Sequence, residues 1–140
     1  MARTEHIDRL STLELFRTCS KKDLQRIAKA SDEITVTAGT TLMEQGDAGT
    51  EAYVILEGEA VVRRSGRKIA TLTAGDAAGE LALLDRRPRS AYVEASTDMR
   101  LLRLKGSAFR KVLADTPSMA LNLLAAMSMR VRELDRKIYG

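Results

Sequence analysis

The sequence predicts a mainly β fold with flanking helices, built around a small antiparallel barrel or roll. Three observations carry that prediction. Short apolar runs alternate with glycine turns from Ile34 to Leu104, at the spacing of roughly 8–12 residues that marks such barrels. Apolar residues ahead of that region recur at three-and-four spacing. Behind it, Ala120, Leu124, Met127, Val131, Leu134 and Ile138 follow a 4-3-4-3-4 pattern.

Taken in order, residues 5–30 are helical, with Ile7, Leu10, Leu13, Leu15, Phe16, Leu24, Ile27 and Ala28 on the apolar side. Ser20 followed by Asp23 resembles a capping box, so a second helix starts there. Cys19 falls in the joint and reads as a small, partly buried residue without a catalytic partner. Ile34, Val36, Thr40 and Leu42 alternate around the turn Thr37-Ala38-Gly39. Gly46-Asp47-Ala48-Gly49 turns into the apolar strand Ala52–Leu56, and Glu57-Gly58-Glu59 turns into Ala60-Val61-Val62. Ser65-Gly66 leads to Ile69–Leu72, and strands resume at Ala91–Ala95 and Arg100–Leu104. Ser107–Leu113 is a short helix. Pro117 suits the first turn of a long one, where its missing N–H needs no partner. Two readings of the long helix's stripe stand: packing on the barrel of its own chain, or a two-fold dimer through 120–138. Both can hold for different residues.

Composition narrows the function. One domain with one core suits 140 residues. The apolar stretch Met119–Met129 is too short to span a bilayer, and charges throughout residues 1–30 exclude a signal-peptide apolar region. A single cysteine cannot form an intramolecular disulfide, which fits a reducing cytoplasm. Residues 31–102 carry 8 basic and 12 acidic side chains, against 7 and 4 before them and 8 and 3 after. The basic surplus lies on helices, and the pairs Arg63-Arg64 and Arg86-Arg87 read as solvated turn surface. Trp is absent and the 3 Tyr and 2 Phe do not interleave with basic clusters, so nucleic-acid binding is weakly supported. His6, the lone histidine, lies ahead of the barrel, which argues against a metal-dependent enzyme and leaves no metal ligand set.

The chemistry concentrates in Gly79–Ala91. Gly79 allows close backbone approach to a ligand. Glu80-Leu81-Ala82-Leu83-Leu84 favours one helical turn, whose free N–H groups attract an anion. Pro88 stiffens the approach to Arg89, whose donor fork matches phosphate oxygens, and Ser90 adds a hydroxyl and an N–H. Glu80 would repel a phosphate but can accept from a neighbouring sugar hydroxyl. A sugar phosphate with an adjacent free hydroxyl satisfies the whole set.

Gly79-Glu80-Leu81-Ala82-Leu83, a short gap, then Pro88-Arg89-Ser90-Ala91 resembles the phosphate-binding cassette of the cyclic-nucleotide-binding domain family. Glu44-Gln45-Gly46-Asp47 and Ala52–Ala60 look like that family's barrel strands and turn glycines, and the likeness covers roughly residues 10–138. It is a likeness to a stand-alone bacterial-type domain, similar to the sensor half of catabolite-activator proteins and the cytoplasmic domain of cyclic-nucleotide-gated channels. The resemblance implies an eight-stranded antiparallel β-roll, jelly-roll-like and cupin-like. It has N-terminal helices over 1–30, the roll over 31–105 with its cassette at 79–91, and C-terminal helices over 107–138. It implies that Glu80 accepts from the ribose 2′-hydroxyl and Arg89 pairs with the exocyclic phosphate oxygens. The N–H groups of Leu81 and Ala82, with Ser90, complete the cradle. Val62 and Leu72 line the base, and a residue within Arg130–Asp135 closes over it. Ala78 departs from the family, which commonly has a large aromatic there; less packing behind the cassette is expected.

The expected function is a non-catalytic sensor of cyclic AMP, with cyclic GMP the lesser candidate because Ser90 is not threonine. Its C-terminal helices would move on binding and act on an effector that the sequence does not identify. The alternative is a ligand-independent scaffold with a degenerate cassette. Met1 and the short flanks point to a small stand-alone protein, and a DNA-binding helix-turn-helix is not expected because the chain stops at Tyr139-Gly140.

Overall fold

Alternation of side chains along each strand decides the layering. In the computed structural model, which describes residues 2–80, 82–85, 88–89 and 91–139, two strands are buried on both faces. β3 (Glu51–Glu57) sends Ala52, Val54 and Leu56 toward the helices and Tyr53 and Ile55 into the roll. β8 (Met99–Lys105) divides in the same way, with Leu102 and Leu104 helix-facing and Met99 and Leu101 inside. That double burial explains why Ala52–Leu56 reads as a continuous apolar run and not as an alternating one.

Two antiparallel four-stranded sheets form the roll. One has the order β1 (Asp32–Val36), β8, β3, β6 (Ala77–Ala78). The other has β2 (Thr41–Met43), β7 (Tyr92–Ala95), β4 (Ala60–Arg64), β5 (Arg67–Leu72). The expected eight-stranded β-roll is therefore the architecture found. The turn between β3 and β4 needs Gly58: its φ is +98°, and an added Cβ would meet Asp98 O at 2.5 Å.

Helices cover the β3–β8 face. α1 (Ala2–Ser11), a 3-10 turn at Glu14–Phe16, and α2 (Lys21–Lys29) pack there with α4 (Gly106–Asp115) and α5 (Pro117–Tyr139). Phe16 and Phe109 meet with ring centroids 6.0 Å apart. The capping box is present: Ser20 Oγ accepts from Asp23 N at 3.1 Å, and Asp23 Oδ2 accepts from Ser20 N at 3.2 Å. Asp23 also accepts from Asn122 Nδ2 at 2.9 Å, and Thr18 Oγ1 donates to the Asn122 carbonyl. One residue of α5 is thus stitched twice to the N-terminal helices.

The long helix corrects one expectation. Its core-facing residues are Met119, Leu123 and Ala126, one position away from the Ala120–Leu124–Met127 stripe. A helix turns about 100° per residue, so the stripe lies to the side of the face that packs. Leu124, Val131 and Ile138 are more than 60 % exposed. Of the stripe, Met127 packs partly against the core; the own-chain reading fails for the other large members, Leu134 included. Among the described residues no helix is long and apolar enough to cross a membrane.

Candidate functional site

Backbone hydrogen bonds place Arg89 before its side chain acts. Arg89 N donates to Asp47 O at 2.7 Å, and Gly46 N donates to Arg89 O at 2.8 Å, while Ala48 and Pro88 form an isolated antiparallel bridge. The Gly46–Gly49 turn therefore clamps the arginine segment from the far side of the chain. The guanidinium reaches back to β3, where Nη2 donates to the Glu51 carbonyl. Its Nη1 is buried with no hydrogen-bond partner among the described residues.

That orphaned nitrogen sits over Gly79. The glycine has φ +77°, and an added Cβ would collide with Arg89 Nη1 and lie 2.6 Å from Met43 Cε. The bare glycine lets the guanidinium pack directly over the backbone, and its unpartnered nitrogen is a donor that an anionic acceptor would satisfy. A buried charged donor without a partner costs more than the roughly 1–3 kcal/mol of a neutral one, so the arrangement calls for an acceptor. The residues present fit a phosphate group. Beside the cradle, Tyr53 Oη donates to Glu51 Oε1 at 2.5 Å, and burial, then Glu51, push the Tyr53 phenol well above its ordinary pKa.

Glu80 lies elsewhere than the cradle. It lines an interior void with Leu10, Leu13, Phe16, Val54 and Leu83, beneath the N-terminal helices. Burial raises its carboxyl pKa, and the charge of Glu14 adds to that; its own backbone N–H opposes. Val62 and Leu72 sit together on the inner face of the β4–β5 hairpin, partly buried against the roll's interior. Ala82 lies in α3 (Ala82–Asp85), a single short helical turn. Leu81 and Ser90 lie outside the described residues. Ala78 packs in the roll interior opposite Tyr53, so the tyrosine ring fills space beside the position where an aromatic was expected.

Of the lid candidates, Arg130 pairs with Glu14 at 3.3 Å and Glu133 with Arg17 at 3.0 Å, so both engage the N-terminal helices. Sequence reasoning did not single out Met43, Glu51 or Tyr53. None belongs to the cassette, and only strand pairing brings them to it.

The fold is a β-roll in which a left-handed glycine lies against a clamped, half-buried arginine. The chain belongs to the cyclic nucleotide-binding domain family, whose pattern matches residues 33–116. It is similar to the cAMP-dependent protein kinase regulatory subunit of Schizosaccharomyces pombe, 35% identical over 107 residues, covering 76% of this chain and 26% of that protein. The cGMP-dependent protein kinase egl-4 of Caenorhabditis briggsae is 28% identical over 126 residues, covering 87% of this chain and 17% of that one. Among solved structures, the N-terminal domain of a transcriptional regulator from Streptomyces coelicolor A3(2) superposes with a TM-score of 0.85 at 30% identity, covering 92% of this chain and 96% of that one. A regulatory subunit of a cAMP-independent protein kinase A from Trypanosoma cruzi, bound to guanosine, has a TM-score of 0.72 at 26% identity, covering 78% and 39%. The chain spans about a quarter of the length of the kinase regulatory subunits it matches. It is a cyclic nucleotide-binding regulatory domain homologous to theirs.

Proposed function

We propose that this single domain senses cyclic AMP in preference to cyclic GMP, without catalysing a reaction, and transmits occupancy through its C-terminal helices in the cytoplasm. The observation that carries this reading is the buried, unpartnered Arg89 Nη1 above Gly79. Arg89 takes the exocyclic phosphate oxygens, and Leu81, Ala82 and Ser90 complete the cradle. Glu80 accepts from the ribose 2′-hydroxyl, while Val62 and Leu72 contact the base. The names of the kinase relatives support a cyclic nucleotide; the serine at position 90 favours the adenine form.

The exposed stripe Leu124–Val131–Leu134–Ile138 supports a homodimer through α5 as the output. Light scattering tests this: Val131→Asp yields a monomer if the stripe is the interface, and an unaltered dimer assigns it elsewhere. Calorimetric titration with cyclic AMP, cyclic GMP and guanosine tests the ligand. A micromolar binder at 1 mM ligand stabilises the fold by roughly 4 kcal/mol. The absence of heat and of thermal shift with either cyclic nucleotide removes the reading, and equal affinity for guanosine removes the role of the phosphate.

A further inference from the structure

The tip of the β4–β5 hairpin carries charge that the fold does not use. Register sets Arg63 opposite Lys68 and Arg64 opposite Arg67, so like charge faces like charge on both rungs. Such pairs destabilise a ribbon. Four of the eight basic residues between positions 31 and 102 fall in these six consecutive positions, inside the acid-biased part of the chain. Ser65 and Gly66 close the hairpin with φ of +52° and +80°, a tight two-residue turn. Residues 63–70 are all exposed. Among the described residues, Arg63, Arg67 and Lys68 enter no ion pair, although Glu94 lies on the neighbouring β7 and Glu44 and Asp47 flank the Gln45–Gly46 step.

The tip is also held in place. Ser65 N donates to Gln45 Oε1 at 2.9 Å, beside Gly46, whose own N–H holds the Arg89 carbonyl. Successive rungs of a ribbon point to opposite faces. Arg63 and Lys68 therefore leave from one face and Arg64 and Arg67 from the other. A bilayer presents its anions to one side of such a prong, and the turn offers Ser65 and Gly66 where insertion calls for apolar side chains. A duplex groove has phosphates on both walls. A ribbon with its side chains is about 10 Å thick, and the major groove of DNA is about 12 Å wide. Three of the four cations are arginines, whose forks match phosphate oxygens. We propose that the β4–β5 tip binds the phosphate backbone of double-stranded DNA, entering the major groove with one pair of cations toward each wall. This site stands on the hairpin alone and is independent of the cyclic-nucleotide reading.

The test is fluorescence anisotropy of a labelled duplex of about 20 base pairs, a length of roughly two helical turns, titrated with the full chain across roughly 50 to 200 mM salt. Four phosphate contacts give a slope of log K against log salt of about −3.6, so affinity falls roughly a hundredfold across that range. The triple variant Arg63→Gln, Arg67→Gln, Lys68→Gln should reduce the slope to about −1. The pair Arg63→Lys, Arg67→Lys keeps the charge and should keep the slope, which separates lost contacts from a lost fold. The α5 pair Arg132→Gln, Arg136→Gln should leave the slope unchanged. No anisotropy change at the lowest salt overturns the proposal. A slope that survives the triple substitution, or one that the α5 pair abolishes, does so too. Vesicles of phosphatidylserine and phosphatidylcholine, or poly-glutamate, that bind more tightly than the duplex at equal anionic charge assign the tip to a membrane or an acidic protein and overturn it as well.

Discussion

Replacing Arg89 with alanine separates a binding residue from a structural one, because the two roles predict opposite patterns. Among the described residues the guanidinium makes one hydrogen bond, Nη2 to the Glu51 carbonyl, and Nη1 is buried without a partner. Losing the first, a bond from a charged donor, costs about 1.5–3 kcal/mol, and removing the second relieves at least about 1 kcal/mol. The net loss of ligand-free stability is then no more than about 2 kcal/mol. Toward a phosphate, two charge-assisted bonds are lost at about 1.5–3 kcal/mol each. A loss of about 3 kcal/mol already weakens Kd by roughly a hundredfold. Urea unfolding without ligand and calorimetry with cyclic AMP measure the two quantities on the same variant. A ligand-free stability loss above about 2 kcal/mol, or a Kd altered less than tenfold, would refute the cradle argument.

Gly79→Ala forces a Cβ into Arg89 Nη1 and Met43 Cε at a φ of +77°, a backbone conformation costing roughly 1–2 kcal/mol for other residues; it should lower both ligand-free stability and affinity, and pairing it with Met43→Ala should restore part of the stability in urea. Asp23→Ala removes a capping box and strands Asn122, so a loss of about 2–3 kcal/mol is expected in chemical denaturation. Glu33 has its pKa lowered first by the hydrogen bond with His6 and then by that from Arg100. A lowered folded pKa means its contribution is present above the unfolded value and lost as pH falls through the folded one, so Glu33→Gln should flatten the acid limb of the stability curve below the ordinary carboxylate range. Glu80 has the opposite sign: its folded pKa is raised. Its stabilising contribution is complete below the unfolded pKa and disappears as pH rises through the folded one, so Glu80→Gln should raise the ligand-free Tm at pH 7.5 and leave it unchanged at acid pH.

Local signals were legible in the sequence. Ser20 and Asp23 announce α2, Pro117 the start of α5, and glycine turns separate β1 to β5. β6 was hidden because Ala77–Ala78 is two residues of low β propensity, defined only by pairing with Tyr53 and Val54. The cassette was legible as chemistry but not as placement. That Arg89 reaches the Glu51 carbonyl depends on β3 running past it, and the void that Glu80 lines has walls from seven separate segments. The stripe on α5 had the right period and the wrong neighbour. Periodicity fixes which residues share a face, whereas the stitching at Asn122 fixes which way the helix is rotated.

That stitching makes α5 a lever. Its pivot is Asn122, held by both its carbonyl and its amide. Beyond Ala126 no described residue of the helix is fully buried, and two partly exposed ion pairs, Arg17–Glu133 and Arg130–Glu14, latch the arm. From Asn122 to the tip is some seventeen residues, about 26 Å, so a tilt of about 10° at the pivot would carry the tip by roughly 4–5 Å. Latches of this exposure contribute at most about 1 kcal/mol each and weaken with salt. If the proposed helix movement occurs, a small tilt near Asn122 would displace the helix tip by a side-chain contact distance, against latches that salt weakens.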